Sequence, residues 1–173
     1  MPAEDNRSSK TEMTIGDQEI SLEQLIAVAL DGRRVRLTDD APWRTKLNRG
    51  RQLLEQSLAA GERIYGVSTG VGYSSGRGVE PPHAREFAYQ IIRQHGCGLG
   101  PPFSCEEGRA IVFARLVSLA KGYSAVRPAL LEALCRLLNH DLIPVIPSLG
   151  SVGASGDLTP LSYLAAVLCG ERE

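Results

Sequence analysis

The sequence predicts a mainly α chain with little strand, and three observations carry that prediction. Ser21 with Gln24, and Ser104 with Glu107, each place a capping serine three residues before a Gln or Glu, the signature of a helix start. Leu130, Leu131, Leu134, Leu137 and Leu138 recur at helical spacing and form one apolar face. Alternation of charged and apolar residues, the mark of a half-buried strand, is confined to Arg33–Leu37.

Taken in order, the first capping box opens a short helix that runs to Leu30 and is ended by Asp31-Gly32. The short strand over Arg33–Leu37 follows. A helix is expected from Pro42 to Ala60, with the proline tolerated in its first turn. Ile64 to Pro82 is rich in Gly and Ser and reads as a long loop, a length that is uncommon unless it serves a function. His83 to about Gln94 reads as a helix stopped by Gly96, Gly98 and Gly100. The second capping box starts a helix to about Lys121. The leucine face defines a helix over Pro128–His140, stopped by Pro144 and Pro147. Asp157 with Pro160 marks the start of another. There is no internal repeat.

Composition narrows the class. A chain of 173 residues with 43% hydrophobic content suits one globular domain of ordinary size. We expect a flexible tail over residues 1–13 and the folded domain over 14–173. Net charge of −1 offers no field for nucleic acid or an anionic membrane surface. The four cysteines (Cys97, Cys105, Cys135, Cys169) contain no Cys-x-x-Cys pair, so neither a zinc knuckle nor a redox motif is indicated and no metal is expected. Reduced thiols in a cytoplasmic protein are the expectation. Met1–Glu12 has no apolar core of a signal peptide. Ala110–Ala120 is interrupted by Arg115 and is too short to span a bilayer.

The chemistry concentrates in Gly150-Ser151-Val152-Gly153-Ala154-Ser155-Gly156-Asp157-Leu158-Thr159-Pro160-Leu161. The nitrogen of Gly156 can attack the carbonyl carbon of Ala154 and close a five-membered ring. Loss of two waters, one taking the Ser155 hydroxyl, leaves an exocyclic methylidene, an electrophile made from the chain itself. Glycine suits the attacking position because it lacks a Cβ. Three other readings apply to the same residues. A serine-hydrolase elbow requires Gly-x-Ser-x-Gly, and Asp157 stands where the second glycine belongs. A phosphate nest is weakened because no Lys or Arg lies between Arg136 and Arg172. A plain glycine-rich entry to a helix is the bland alternative. A helix beginning near Asp157 would favour negative charge developing close to its N-terminus.

Two further segments bear on the choice. Tyr65-Gly66-Val67-Ser68-Thr69-Gly70-Val71-Gly72 lies in the long loop, and Arg93-Gln94-His95-Gly96-Cys97-Gly98-Leu99-Gly100 ends a helix. Read plainly, Tyr65 is a loop tyrosine with its hydroxyl in water, and His95 is a capping or surface histidine. His83 and His140 read as surface residues, and the leucine stripe as core.

Together with the Ala154-Ser155-Gly156 run, these segments resemble the aromatic amino acid ammonia-lyases and aminomutases, from about Thr14 to the C-terminus. The resemblance implies the N-terminal part of that family's fold, helices with long active-site loops and little strand, without the long central helical bundle. It implies a 4-methylidene-imidazole-5-one group (MIO) formed from Ala154, Ser155 and Gly156, with Ser155 supplying the reactive carbon. It makes Tyr65 the base that removes a β-proton, a task for which a phenol of unperturbed pKa about 10 needs nearby positive charge or strong donors. It places His95 and Gln94 against the substrate side chain, with Gly72 and Leu158 as further substrate contacts.

The implied activity is loss of ammonia from an aromatic amino acid to give a trans-α,β-unsaturated acid. Two polar residues facing the ring favour histidine or tyrosine over phenylalanine, since an apolar ring would leave them unpaired. Re-addition of ammonia at the β-carbon would make the same site an aminomutase, of the tyrosine 2,3-aminomutase type. The chain departs from the family at Val71, usually Phe, and at Gln94-His95, where histidine lyases tend to have Ser-His. It also ends at Glu173, whereas family members continue for several hundred residues that supply a carboxylate-binding arginine, further tyrosines, an asparagine and the helices of a homotetramer. The competing reading is a non-catalytic module, or one half of a split enzyme paired with a separate C-terminal chain.

Overall fold

A computed structural model describes residues 12–153 and 158–172. Six helices and four short strands lie among them, in the order β1 (Met13–Ile15), α1 (Leu22–Ala29), β2 (Val35–Leu37), α2 (Ala41–Ala59), α3 (Ala84–His95), β3 (Leu99–Pro102), α4 (Cys105–Ala120), α5 (Pro128–Asn139), β4 (Pro147–Leu149) and α6 (Leu158–Leu168). The chain is mainly α, as its patterning predicts. Both capping boxes are formed, with the serine side chain and the Gln or Glu side chain each satisfying the other's backbone N–H. The described residues divide into two compact units, one of residues 12–48 and 104–143, the other of 49–103, 144–153 and 158–172.

The first unit is built on a β-α-β start. β1 pairs in parallel with β2, Met13 opposite Val35 and Ile15 opposite Leu37. Met13, which the sequence reading assigns to the tail, is buried in this pair. Asn139, the last residue of α5, completes the β2 backbone: its amide accepts from Val35 N and donates to Val35 O at 2.9 and 2.8 Å. Asp40 caps α2 by accepting from Trp43 N, and the buried Trp43 indole donates to Ala120 O at 2.8 Å. The core is Ile15, Val28, Leu47, Phe113, Leu116 and the buried leucines of α5. The stripe falls inward at Leu131, Leu134, Leu137 and Leu138.

One charged side chain sits inside this core. Arg109 on α4 is 5% exposed. Its guanidinium donates to Val28 O in the last turn of α1, to Leu138 O in the last turn of α5, and to the Asp141 carboxylate. A cation thus meets two helix C-termini, where the last carbonyls lack intrahelical donors. Arg109→Met would strand both carbonyls, each costing about 1–3 kcal/mol when buried. We expect a loss of about 2–4 kcal/mol in urea unfolding, and a loss below 1 kcal/mol would show that water replaces the guanidinium. Cys135, in the same core, has its thiol pushed up to about 12 by burial, with help from the nearby carboxylates of Glu12 and Glu132. It stays protonated at neutral pH. All four cysteines are free thiols.

The second unit positions the candidate site. β3 and β4 pair antiparallel, Leu99 opposite Leu149 and Pro102 opposite Pro147, with an irregular register between the two pairs. Phe103 N continues the ladder to Ile146 O at 2.9 Å. The sequence reading assigns no strand to this proline-containing chain. Proline is tolerated because each strand of a two-stranded sheet is an edge. α3 packs on α6, and the buried residues of the second unit include Ile146, Tyr163, Leu164 and Ala166.

α6 ends in a Schellman turn. Glu171 N donates to Ala166 O and Gly170 N to Val167 O, with Gly170 at φ +71°. Only glycine enters that conformation without strain. Apolar side chains of this unit remain uncovered at Leu99, Val145, Leu149 and Val152. Among the described residues, no helix is long and apolar enough to cross a membrane.

Candidate active site

Two clusters of the predicted residues are formed, both in the second unit. The first is the long loop after α2. Its backbone turns back on itself through an isolated bridge between Thr69 and Gly78, with Gly70 N on Arg77 O and Val79 N on Ser68 O. Ser68 Oγ accepts from Ile64 N and donates to Glu62 O. Arg63 reaches across to Ser75 O and Gly76 O, the latter at 2.6 Å. These bonds hold a segment whose regular structure is one 3₁₀ turn at Gly72–Gly76 and no long strand.

Tyr65 stands on that segment, 64% exposed. Its phenol oxygen accepts a hydrogen bond from Gly72 N at 2.9 Å. The two ends of the predicted Tyr65–Gly72 motif therefore meet. The donor to the Tyr65 oxygen is a backbone amide, a signal that side-chain identities alone do not carry.

The second cluster forms where α3 ends. His95 is half-buried and Gln94 is exposed. His95 Nδ1 lies 2.8 Å from Ile91 O. A carbonyl only accepts, so Nδ1 carries a proton, which leaves Nε2 as the nitrogen able to accept. β3–β4 pairing then sets the glycines after His95 beside the start of the Gly150 run. A Cβ on Gly150 would lie 2.6 Å from Thr159 Cγ2 and 3.3 Å from Gly98 Cα. A Cβ on Gly98 would meet Pro147 at 3.1 Å and the Tyr163 hydroxyl at 3.4 Å. A side chain at either glycine is excluded, and the crossing is walled by the Thr159, Pro147 and Tyr163 side chains with Gly98 against Gly150.

Leu158, 42% exposed, is the first residue of α6. Ala154, Ser155 and Gly156 lie outside the described residues, as does Asp157. Before them Gly150 lies against Thr159 and Gly98, and after them α6 starts at Leu158. No group of three or more His, Cys, Asp or Glu that could hold a metal occurs among the described residues.

Sequence reasoning missed a set of contacts around Gly96. The Tyr163 hydroxyl donates to Gly96 O at 3.2 Å and stands 3.5 Å from Gly98 O. Arg172 Nη2 donates to the same Gly96 O at 2.9 Å, and its guanidinium lies 4.3 Å from the Tyr163 ring centre. Arg93 forms a two-pronged pair with Glu171, at 2.9 and 3.1 Å. That pair holds the Glu171 carboxyl below, and the Arg93 guanidinium above, their ordinary ranges, through the hydrogen bonds each gives the other. The one sequence hint was the four-residue spacing of Thr159 and Tyr163, which puts both on one face of a helix.

The comparisons with known proteins decide the family. The model of the aromatic amino acid lyase family matches residues 20–173. The chain belongs to that family. Among its relatives is the MIO-dependent tyrosine 2,3-aminomutase of Streptomyces globisporus, 42% identical over 161 residues, covering 86% of this chain and 30% of that protein. A histidine ammonia-lyase of Halalkalibacterium halodurans is 40% identical over 154 residues, 89% of this chain and 30% of the relative. A tyrosine ammonia-lyase of Cupriavidus metallidurans is 43% identical over 146 residues, 84% and 27%.

The crystal structure of the Streptomyces globisporus tyrosine aminomutase superposes with a TM-score of 0.85 at 37% identity, over 92% of this chain and 29% of that one. The chain thus spans less than a third of the length of these relatives, corresponding to their N-terminal part.

Proposed function

We propose that this family member is the N-terminal, cofactor-forming segment of a carbon–nitrogen lyase acting on an aromatic amino acid, with histidine or tyrosine favoured. The observation that carries the reading is the close approach of Gly98 to Gly150. It puts the segment that follows His95 against the run that leads to Ala154-Ser155-Gly156. Closed, an MIO ring at that tripeptide would supply an electrophile for the substrate's amino group.

The chain's own residues would do the rest. Tyr65 would take the β-proton at its oxygen as the phenolate and become a neutral phenol, with the Gly72 N–H supporting the negative charge held there before the transfer. His95 would present Nε2 as an acceptor to a ring N–H or a phenol O–H, its Nδ1 being committed to Ile91 O. Gln94, Gly72 and Leu158 would line the substrate. The N-terminus of α6, which begins two residues after Gly156, would favour negative charge developing nearby. Residues that grip the substrate carboxylate are proposed to come from sequence outside these 173 residues or from a separate C-terminal chain, in a cytoplasmic homotetramer. The apolar surface at Leu99, Val145, Leu149 and Val152 supports such association. The chain by itself is proposed to be inactive.

A second reading is favoured by one relative: 42% identity to a tyrosine 2,3-aminomutase supports an aminomutase that returns ammonia to the β-carbon. Product analysis separates the two. A lyase releases the unsaturated acid and ammonia, and an aminomutase accumulates the β-amino acid.

Selectivity gives a direct test. His95→Phe in the full-length protein should move the kcat/KM ratio toward phenylalanine by at least tenfold, because a polar site rejects a ring without a partner by large factors. An unchanged ratio would mean that His95 does not face the ring.

A further inference from the structure

We infer that Tyr163 and Arg172 are positioning residues for substrate selection, acting on His95 through the Gly96 carbonyl. The inference rests on the proposed role of His95 and goes beyond it, to what holds that residue in place.

Gly96 is the C-cap of α3, immediately after His95. A helix C-terminus ends in carbonyls with no intrahelical donor, and the residues there fray unless those carbonyls are bound. Here the cap is held from α6. The Gly96 carbonyl accepts from the Tyr163 hydroxyl and from Arg172 Nη2, which uses both of its lone pairs. The Arg172 guanidinium also lies over the Tyr163 ring at 4.3 Å, so the two donors fix one another. Tyr163 is 7% exposed, with its hydroxyl directed to the Gly96–Gly98 backbone.

The local sequence of α6 produces this arrangement. Thr159 and Tyr163 share a face, and Thr159 packs on Gly150 as Tyr163 reaches Gly96. At the other end, the turn at Gly170 reverses the chain, and Glu171 and Arg172 return to the end of α3. Glu171 takes Arg93, two residues before His95. Three side chains from α6 and its terminal turn therefore grip α3 on both sides of Gln94-His95. The same helix starts just after the Ala154-Ser155-Gly156 run. A rigid α6 would fix the separation between the selectivity pair and the reacting centre, and small displacements there cost rate: about 1 Å can cost 10²-fold.

The test uses the full-length protein, with Tyr163→Phe, Arg172→Ala and Arg172→Lys, each also combined with His95→Phe. Three readouts are taken: mass of the peptide containing Ser155, kcat/KM for histidine, tyrosine and phenylalanine, and amide exchange over His95–Leu99. The expected result is an unchanged peptide mass, faster exchange, and a fall of roughly 10–100-fold in kcat/KM for the preferred substrate. The preference ratio should shift at least severalfold, with partial recovery in Arg172→Lys. In the His95→Phe background the clamp substitutions should add no further shift, the non-additivity of residues acting through one contact.

A preference ratio that moves with His95→Phe but not with Tyr163→Phe or Arg172→Ala would overturn the inference and leave the role of His95 intact. If His95→Phe moves nothing, the selectivity role falls and the inference with it. Faster exchange in the clamp variants would then mark the clamp as purely structural.

Discussion

Ser155→Ala in the full-length protein is expected to abolish turnover and to leave the peptide spanning Ala154–Gly156 at its encoded mass. The serine hydroxyl leaves as one of the two waters, and without it no methylidene carbon can form. The effect should exceed the roughly 10²–10³-fold that loss of a single stabilising donor costs, because the reacting group itself is gone. Stability should change little, since serine to alanine removes one oxygen and α6 begins only at Leu158. Chromatographic rate assays with histidine and tyrosine read the result. A Ser155→Ala variant with undiminished rate would sink the cofactor reading and return the Gly150 run to a plain helix entry.

Tyr65→Phe should lower kcat by about 10²–10⁴-fold, the usual worth of a positioned acid or base. KM should stay within a few-fold, since the ring remains. The substitution removes one hydrogen bond, from Gly72 N. Gly72 is exposed, so water can take its amide, and stability should shift by no more than about 0.5 kcal/mol. A folded Tyr65→Phe variant with near-normal kcat would assign the base to another group.

Local signals made most of the helices legible. A capping box lies within four residues of chain, and both Ser21-Gln24 and Ser104-Glu107 read correctly. The α5 stripe gave Pro128–Asn139 to within a residue of its end. Strands were legible only where one element sufficed. β2 showed its alternation, but β1 is three residues that gain meaning only by pairing with β2. β3 and β4 carry Pro101, Pro102 and Pro147, which argue against strand, and their pairing joins residues some fifty positions apart. Arg109 was invisible for the same reason, since its partners Val28 and Asp141 are distant in sequence.

The site divided in the same way. The candidates Tyr65, His95 and the Ala154-Ser155-Gly156 run were named from motifs. Their supports were not: a backbone donor at Gly72, a carbonyl that accepts from His95 Nδ1, and a clamp returning from the far end of α6.

The central claim is that this chain builds its own electrophile. The most direct measurement is the mass of the proteolytic peptide containing Ala154-Ser155-Gly156, taken from the full-length protein and set against the same peptide made synthetically. The account predicts a native peptide lighter by two waters, with the loss localised by fragmentation to those three residues. A native peptide of identical mass, from protein that turns over an aromatic amino acid, would contradict it.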